Sequence, residues 1–84
     1  MKYYIVLIQW SLGDDNRVTD CGCDVMKVTT NYREARTEFK RLRDNELSDE
    51  ITKDWTIVSD CENYFHHHGS YPNESSIRIL EFDK

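Results

Sequence analysis

Cysteine and histidine side chains are the residues whose types and spacing could bind a metal. Thiolates and imidazoles are the ligands that zinc prefers, and four of them in a tetrahedron complete a structural site. The cysteine pair is spaced C-x-C rather than C-x2-C, and no second pair follows it. We therefore expect no cofactor and keep a zinc site as an alternative. The ligands in that alternative are Cys21, Cys23, Cys61, His66 and His68.

The same thiols could instead act as nucleophiles. A catalytic cysteine needs a base within hydrogen-bond reach and a third group that orients the base. Three consecutive histidines could serve Cys23 or Cys61, and the sequence gives no reason to prefer one of them. Because no family signature surrounds either cysteine, we predict that the protein is not an enzyme.

Basic side chains are concentrated in segment 33–43, which contains five of the 11 lysines and arginines. A basic helix face could lie along a phosphate backbone. Acidic residues are interleaved with the basic ones, however, which is typical of a solvated helix. The net charge of −5 also disfavours nucleic acid as a partner. Nucleic-acid binding is kept as an alternative, through Arg33, Arg36, Lys40 and Arg43.

The composition indicates one small folded domain spanning residues 1–84. Aromatic residues make up 12% of the chain, whereas disordered segments are poor in them. The N-terminal apolar run contains Gln9, lacks a small-residue cleavage site and is far shorter than the ~20 residues of a membrane span. The cysteine count of 3 is odd, unlike that of a disulfide scaffold. We therefore predict a cytoplasmic protein that does not bind membranes.

Residues 3–10 form the longest apolar run and predict a central strand. Successive side chains of a strand point to opposite faces of the sheet, and here both sets are apolar. One set is Tyr3, Ile5 and Leu7, and the other is Tyr4, Val6, Ile8 and Trp10.

A helix is predicted to begin at Thr30 or Asn31, both good N-caps, and to run to about residue 46. Its apolar positions recur at helical spacing, at Tyr32, Ala35, Phe39 and Leu42. Further strands are predicted at 21–29, 55–59 and 77–82. Residues 60–76 read as a long polar loop in which Tyr64 and Phe65 could extend a short strand. The predicted fold class is α+β, with order β-β-α-β-β, a mainly antiparallel four-stranded sheet and one helix packed on one face.

One helix can cover only one face of the predicted sheet, so the second apolar face of the central strand needs another cover. We therefore predict a non-enzymatic protein–protein interaction module, of the inhibitor or adaptor type, whose partner is another protein or a second copy in a two-fold homodimer. The interaction surface is predicted at Tyr4, Val6, Ile8 and Trp10.

Overall fold

The computed structural model describes residues 1–14 and 17–83. Within them lie one helix and five strands, so the α+β class is confirmed and the sheet has one strand more than predicted. The additional strand comes from segment 60–76, which the sequence predicts to be mainly loop. The elements are β1 (Lys2–Asp14), β2 (Arg17–Thr29), α1 (Tyr32–Ser48), β3 (Thr56–Asp60), β4 (Tyr64–His68) and β5 (Glu74–Asp83).

The strands form one sheet in the order β2-β1-β5-β4-β3, and every neighbouring pair is antiparallel. β1 and β5 therefore lie inside the sheet, whereas β2 and β3 form its edges. The two 13-residue strands β1 and β2 make a long hairpin. Their register shifts between Val6 and Leu7, where β2 carries an additional residue as a bulge.

α1 begins where the sequence predicts it. The side chain of Asn31 caps the helix by accepting a hydrogen bond of 2.9 Å from the Arg33 backbone N–H. The hydroxyl of Thr29 donates to Glu34 in the first turn and accepts from the Asn31 backbone N–H, which joins the end of β2 to the helix. Among the described residues, no helix has the length and hydropathy needed to cross a membrane.

The hydrophobic core lies between α1 and one face of the sheet. The helix contributes Ala35, Phe39 and Leu42, as its periodicity predicts. Paired residues on neighbouring strands point to the same side of a sheet, and Val6 pairs with Ile79. The core residues of the strands therefore lie on a single face. The buried residues are Val6, Ala35, Phe39, Leu42, Phe65, Ile77 and Ile79, with Tyr4, Ile8, Tyr32 and Leu47 packed against them.

A polar pair closes one end of this core. His67 is fully buried, and its Nε2 lies 2.8 Å from Oε1 of Glu46 near the end of α1. Its ring contacts those of Trp55 and Phe65, with ring centroids 5.1 and 4.9 Å away. Trp55 in turn covers Gly69, where a Cβ would lie 2.6 Å from the indole nitrogen.

Candidate functional site

We call the sheet face opposite α1 the open face. The strand register orders its side chains into rows that run across the strands. At one end the rows are apolar: Tyr3 pairs with Phe82, and Ile5 lies between Val28 and Leu80. The open face continues through three mixed or polar rows. Read from β2 to β4, they are Val25, Leu7, Arg78 and Tyr64; then Cys23, Gln9, Ser76 and His66; then Cys21, Ser11, Glu74 and His68.

The apolar end of the open face is accessible to solvent. Val25, Val28 and Phe82 are exposed by 58%, 60% and 48%, and the other apolar side chains of these rows are half-buried. A contiguous apolar surface of this kind is typical of a docking site. We call it the apolar patch. Its residues are Tyr3, Ile5, Leu7, Val25, Val28, Leu80 and Phe82.

The interaction surface predicted from the sequence lies largely on the opposite face. Val6 is fully buried in the core, and Tyr4 and Ile8 pack against that core under α1. Trp10 is half-buried on Gly22, where a Cβ would lie only 2.5 Å from the indole ring. The helix covers Tyr4, Val6 and Ile8. The uncovered apolar surface of β1 is therefore the alternating set of side chains on the open face, which contains Ile5.

Charge is distributed unequally between the two faces of the sheet. Of the described acidic residues in the strands, the register places only Glu74 on the open face. The others alternate with the open-face residues and point to the helix side, as Asp24 does opposite Ile8 and Glu81 opposite Tyr4. The open face is therefore poor in negative charge although the chain as a whole carries −5.

The polar rows of the open face, with Trp10, Gly22 and Ser75 from the alternate positions, line a cleft of about 480 Å³, which we call the polar cleft. Strands β2, β1, β5 and β4 all contribute lining residues to the cleft. Its lining residues are Gln9, Trp10, Ser11, Cys21, Gly22, Cys23, Tyr64, His66, Glu74, Ser75, Ser76 and Arg78. Within the cleft, His66 Nε2 lies 3.5 Å from Glu74 Oε2.

Arg78 is the partly buried cation of the polar cleft. Its guanidinium carbon lies 5.1 Å from the centroid of the Tyr64 ring, in a cation–π contact. Its Nε is buried and has no hydrogen-bond partner, and the guanidinium makes no ion pair within residues 1–14 and 17–83. No feature of the sequence around Arg78 distinguishes it from other basic residues, because its setting depends on the pairing of β5 with β4.

The structure separates the residues of the alternative zinc site. His66 and His68 point to the open face whereas His67 points into the core, since consecutive side chains of β4 alternate. Cys23 and His66 share a row but lie three strands apart, about 14 Å at the usual spacing between strands. Cys61 lies outside the cleft, where its Sγ is 3.4 Å from the Ser59 hydroxyl.

No group of three or more His, Cys, Asp or Glu side chains in the described part of the chain is arranged to hold a metal ion. The distance between β2 and β4 also separates Cys23 from the histidines that a cysteine nucleophile would need as a base. Cys23 has no histidine within reach, and no hydrogen bond joins Cys61 to a histidine within the described ranges. All three thiols are free and exposed.

The basic residues of α1 do not form an open cationic stripe. Arg36 donates to the backbone carbonyl of Glu62 and lies over the Phe39 ring. Arg43 forms an ion pair with Asp60 at 3.3 Å. Arg33 and Lys40 are exposed.

A neighbouring basic residue of the helix is paired with an acidic one. Arg41 forms an ion pair with Glu38, which raises the pKa of the Arg41 guanidinium. The interleaved acids of this helix therefore take up part of its positive charge.

Comparison with protein-family models, with curated proteins and with solved structures found no match to this chain. The function proposed below therefore depends on the geometry of the open face.

Proposed function

We propose that this protein is a non-enzymatic protein–protein interaction module that self-associates through the apolar patch. The observation that carries the proposal is the uncovered apolar set on β1, β2 and β5, opposite the only helix of the described residues. Val28 and Phe82, at two sides of the patch, are about half exposed in the single chain. Burying such side chains contributes roughly 25 cal/mol per Å² of apolar surface.

The dimensions of the molecule support docking through a sheet face. Its principal extents are 46 × 22 × 17 Å, and the two longer ones match the length of the hairpin and the width of five strands. Such a face can supply the roughly 800 Å² per partner that a standard interface buries.

The charge distribution favours a second copy of the chain as the partner. The strand acids other than Glu74 point to the helix side, so two open faces can meet without bringing those acids together. A two-fold arrangement uses the same patch on both chains, and each patch is complementary in polarity to the other. The partner lies in the cytoplasm in this proposal, and the three exposed free thiols support a reducing compartment.

The test is sedimentation velocity from low micromolar to near-millimolar concentration. The wild-type chain is expected to change from monomer to dimer. The double variant Val28→Glu with Phe82→Glu should remain monomeric, because each carboxylate would have to be buried without a partner. Both positions are exposed in the single chain, so the fold should persist.

Ile51→Glu is the control outside the patch and adds one of the two charges of the double variant; Ile51 is an exposed apolar residue outside the sheet, at 73%. This variant should dimerise like the wild type. A wild-type chain that stays monomeric over the whole range would overturn self-association. Equal loss of dimer in the control would show that net charge, rather than the apolar patch, governs self-association.

A further inference from the structure

The polar cleft contains a cation, Arg78, that forms no ion pair with a described acidic residue. Arg78 is partly buried, yet its guanidinium makes no ion pair or hydrogen bond within the described ranges. Partly burying a guanidinium costs free energy unless an acceptor meets it. The chain has 16 acidic residues, yet this cation has no acidic partner among the described ones. Its setting therefore indicates a binding place for an acidic group from outside the chain.

The guanidinium is oriented before any ligand arrives. Tyr64 supports one side of it through the cation–π contact, and the register places Leu7 beside it on β1. A planar guanidinium held in this way presents its edge N–H groups as a fork that matches the two oxygens of a carboxylate. Because its motion is already restricted, little conformational entropy is lost on binding.

Polar groups in the next row can complete an oxyanion site. Ser76 pairs with Gln9 on one side and with His66 on the other. Ser76 is only 8% exposed, and its hydroxyl makes no hydrogen bond with the described residues. The Ser76 hydroxyl, two residues along β5 from Arg78, and the Gln9 amide beside it on β1 can donate to the same anion.

We propose that the polar cleft binds a carboxylate, held by Arg78 with Ser76 and Gln9 as further donors. Its volume of about 480 Å³ lies within the range of small-ligand sites. Glu74 lines the same cleft, so a dianionic phosphate is less well suited than a singly charged carboxylate. The inference goes beyond the proposed function, because it concerns the polar rows and does not require a dimer.

The experiment is an NMR titration of the full chain with acetate, with inorganic phosphate and with neutral N-acetylglycinamide. Acetate is expected to give saturable shifts at Arg78 and Ser76 that exceed those of either other probe. Arg78→Gln should weaken acetate binding at least tenfold, and Arg78→Lys should weaken it less because the charge remains. Arg33→Gln removes an exposed charge on α1 and should leave the affinity unchanged.

Two sources of the carboxylate are distinguished by comparing the wild type with the monomeric Val28→Glu, Phe82→Glu variant. Acetate binding to both supports a free small carboxylate, and binding to the monomer alone supports a carboxylate from the partner copy. Non-saturable shifts in both proteins, tighter binding of phosphate, or unchanged affinity in both Arg78 variants would overturn the inference. Whether the wild type dimerises is measured separately, by sedimentation.

Discussion

The two faces of β1 differ in what covers them although their residue types are nearly the same. Val6 and Ile8 lie in or against the core under α1, whereas Ile5 and Leu7 lie half-buried on the open face. The difference arises outside the strand. β4 and β5 add Phe65, Ile77 and Ile79 to the helix side, but place Arg78 and Ser76 on the other side. Apolar neighbours alone do not make a face into core, since Ile5 also lies between Val28 and Leu80; the core is the face on which α1 packs.

The largest effect that tests this comparison is expected from two phenylalanines. Phe39→Ala removes a fully buried ring from the covered side and should lower the free energy of unfolding by about 3–5 kcal/mol. Phe82→Ala, on the open face, should cost well under half of that, because the ring is already half exposed. Urea unfolding of dilute protein measures both. Equal losses would contradict the assignment of the two faces.

The helix was the part of the fold that the sequence predicted best. Its apolar period and its N-cap at Asn31 are local signals, and both are confirmed. The face of β1 that the helix covers could not be predicted, because both alternating sets are apolar and the choice depends on strands distant in the chain. β4 was missed beyond Tyr64 and Phe65, since three consecutive histidines show no alternation of polarity.

The candidate site was less predictable than the fold. Cys21, Cys23 and His66 do line one cleft, but the strand order keeps the thiols and the imidazole on opposite sides of it. Arg78 gains its setting only from the pairing of β5 with β4. Consecutive side chains of a strand point to opposite faces of the sheet. Once Tyr64 and Phe65 are taken to begin a strand, this alternation indicates that His67 lies on the opposite face from His66 and His68.

A second effect concerns the polar pair at the edge of the covered side. Glu46→Ala leaves Nε2 of the fully buried His67 without its partner and should lower the free energy of unfolding by about 1–3 kcal/mol. Glu46→Gln keeps an acceptor oxygen there and should cost less. Thermal or urea unfolding at neutral pH distinguishes the two variants. An Ala variant as stable as the wild type would mean that the pair does not support the core.

A third effect measures how firmly the start of α1 is held over the covered face. Asn31→Ala removes the cap of the Arg33 N–H and should cost about 1 kcal/mol. Asn31→Asp keeps the capping oxygen and serves as the control. The expected order of unfolding midpoints in urea is wild type, then Asp within experimental error, then Ala. An unchanged midpoint for Ala would contradict the role of this cap.

The smallest effect concerns the rim of the covered face. Burial and the neighbouring Glu62 carboxylate raise the pKa of the Tyr32 phenol above its ordinary value of 10.0. The unfolded chain therefore loses the phenolic proton first, so this contribution to stability is complete below pH 10.0 and decreases as pH rises through the raised pKa. Unfolding at alkaline pH should be less pH-dependent in Tyr32→Phe. Identical pH dependence in both proteins would contradict the shift.

The most direct test of the central claim uses the methyl groups of β1 itself. NMR spectra of a methyl-labelled chain are recorded from micromolar to near-millimolar concentration. Self-association through the open face predicts that the Ile5 and Leu7 methyl signals move with concentration, while those of Val6 and Ile8, the adjacent residues on the covered face, do not. Signals that stay constant at all four residues, or that move mainly at Val6 and Ile8, would contradict the account.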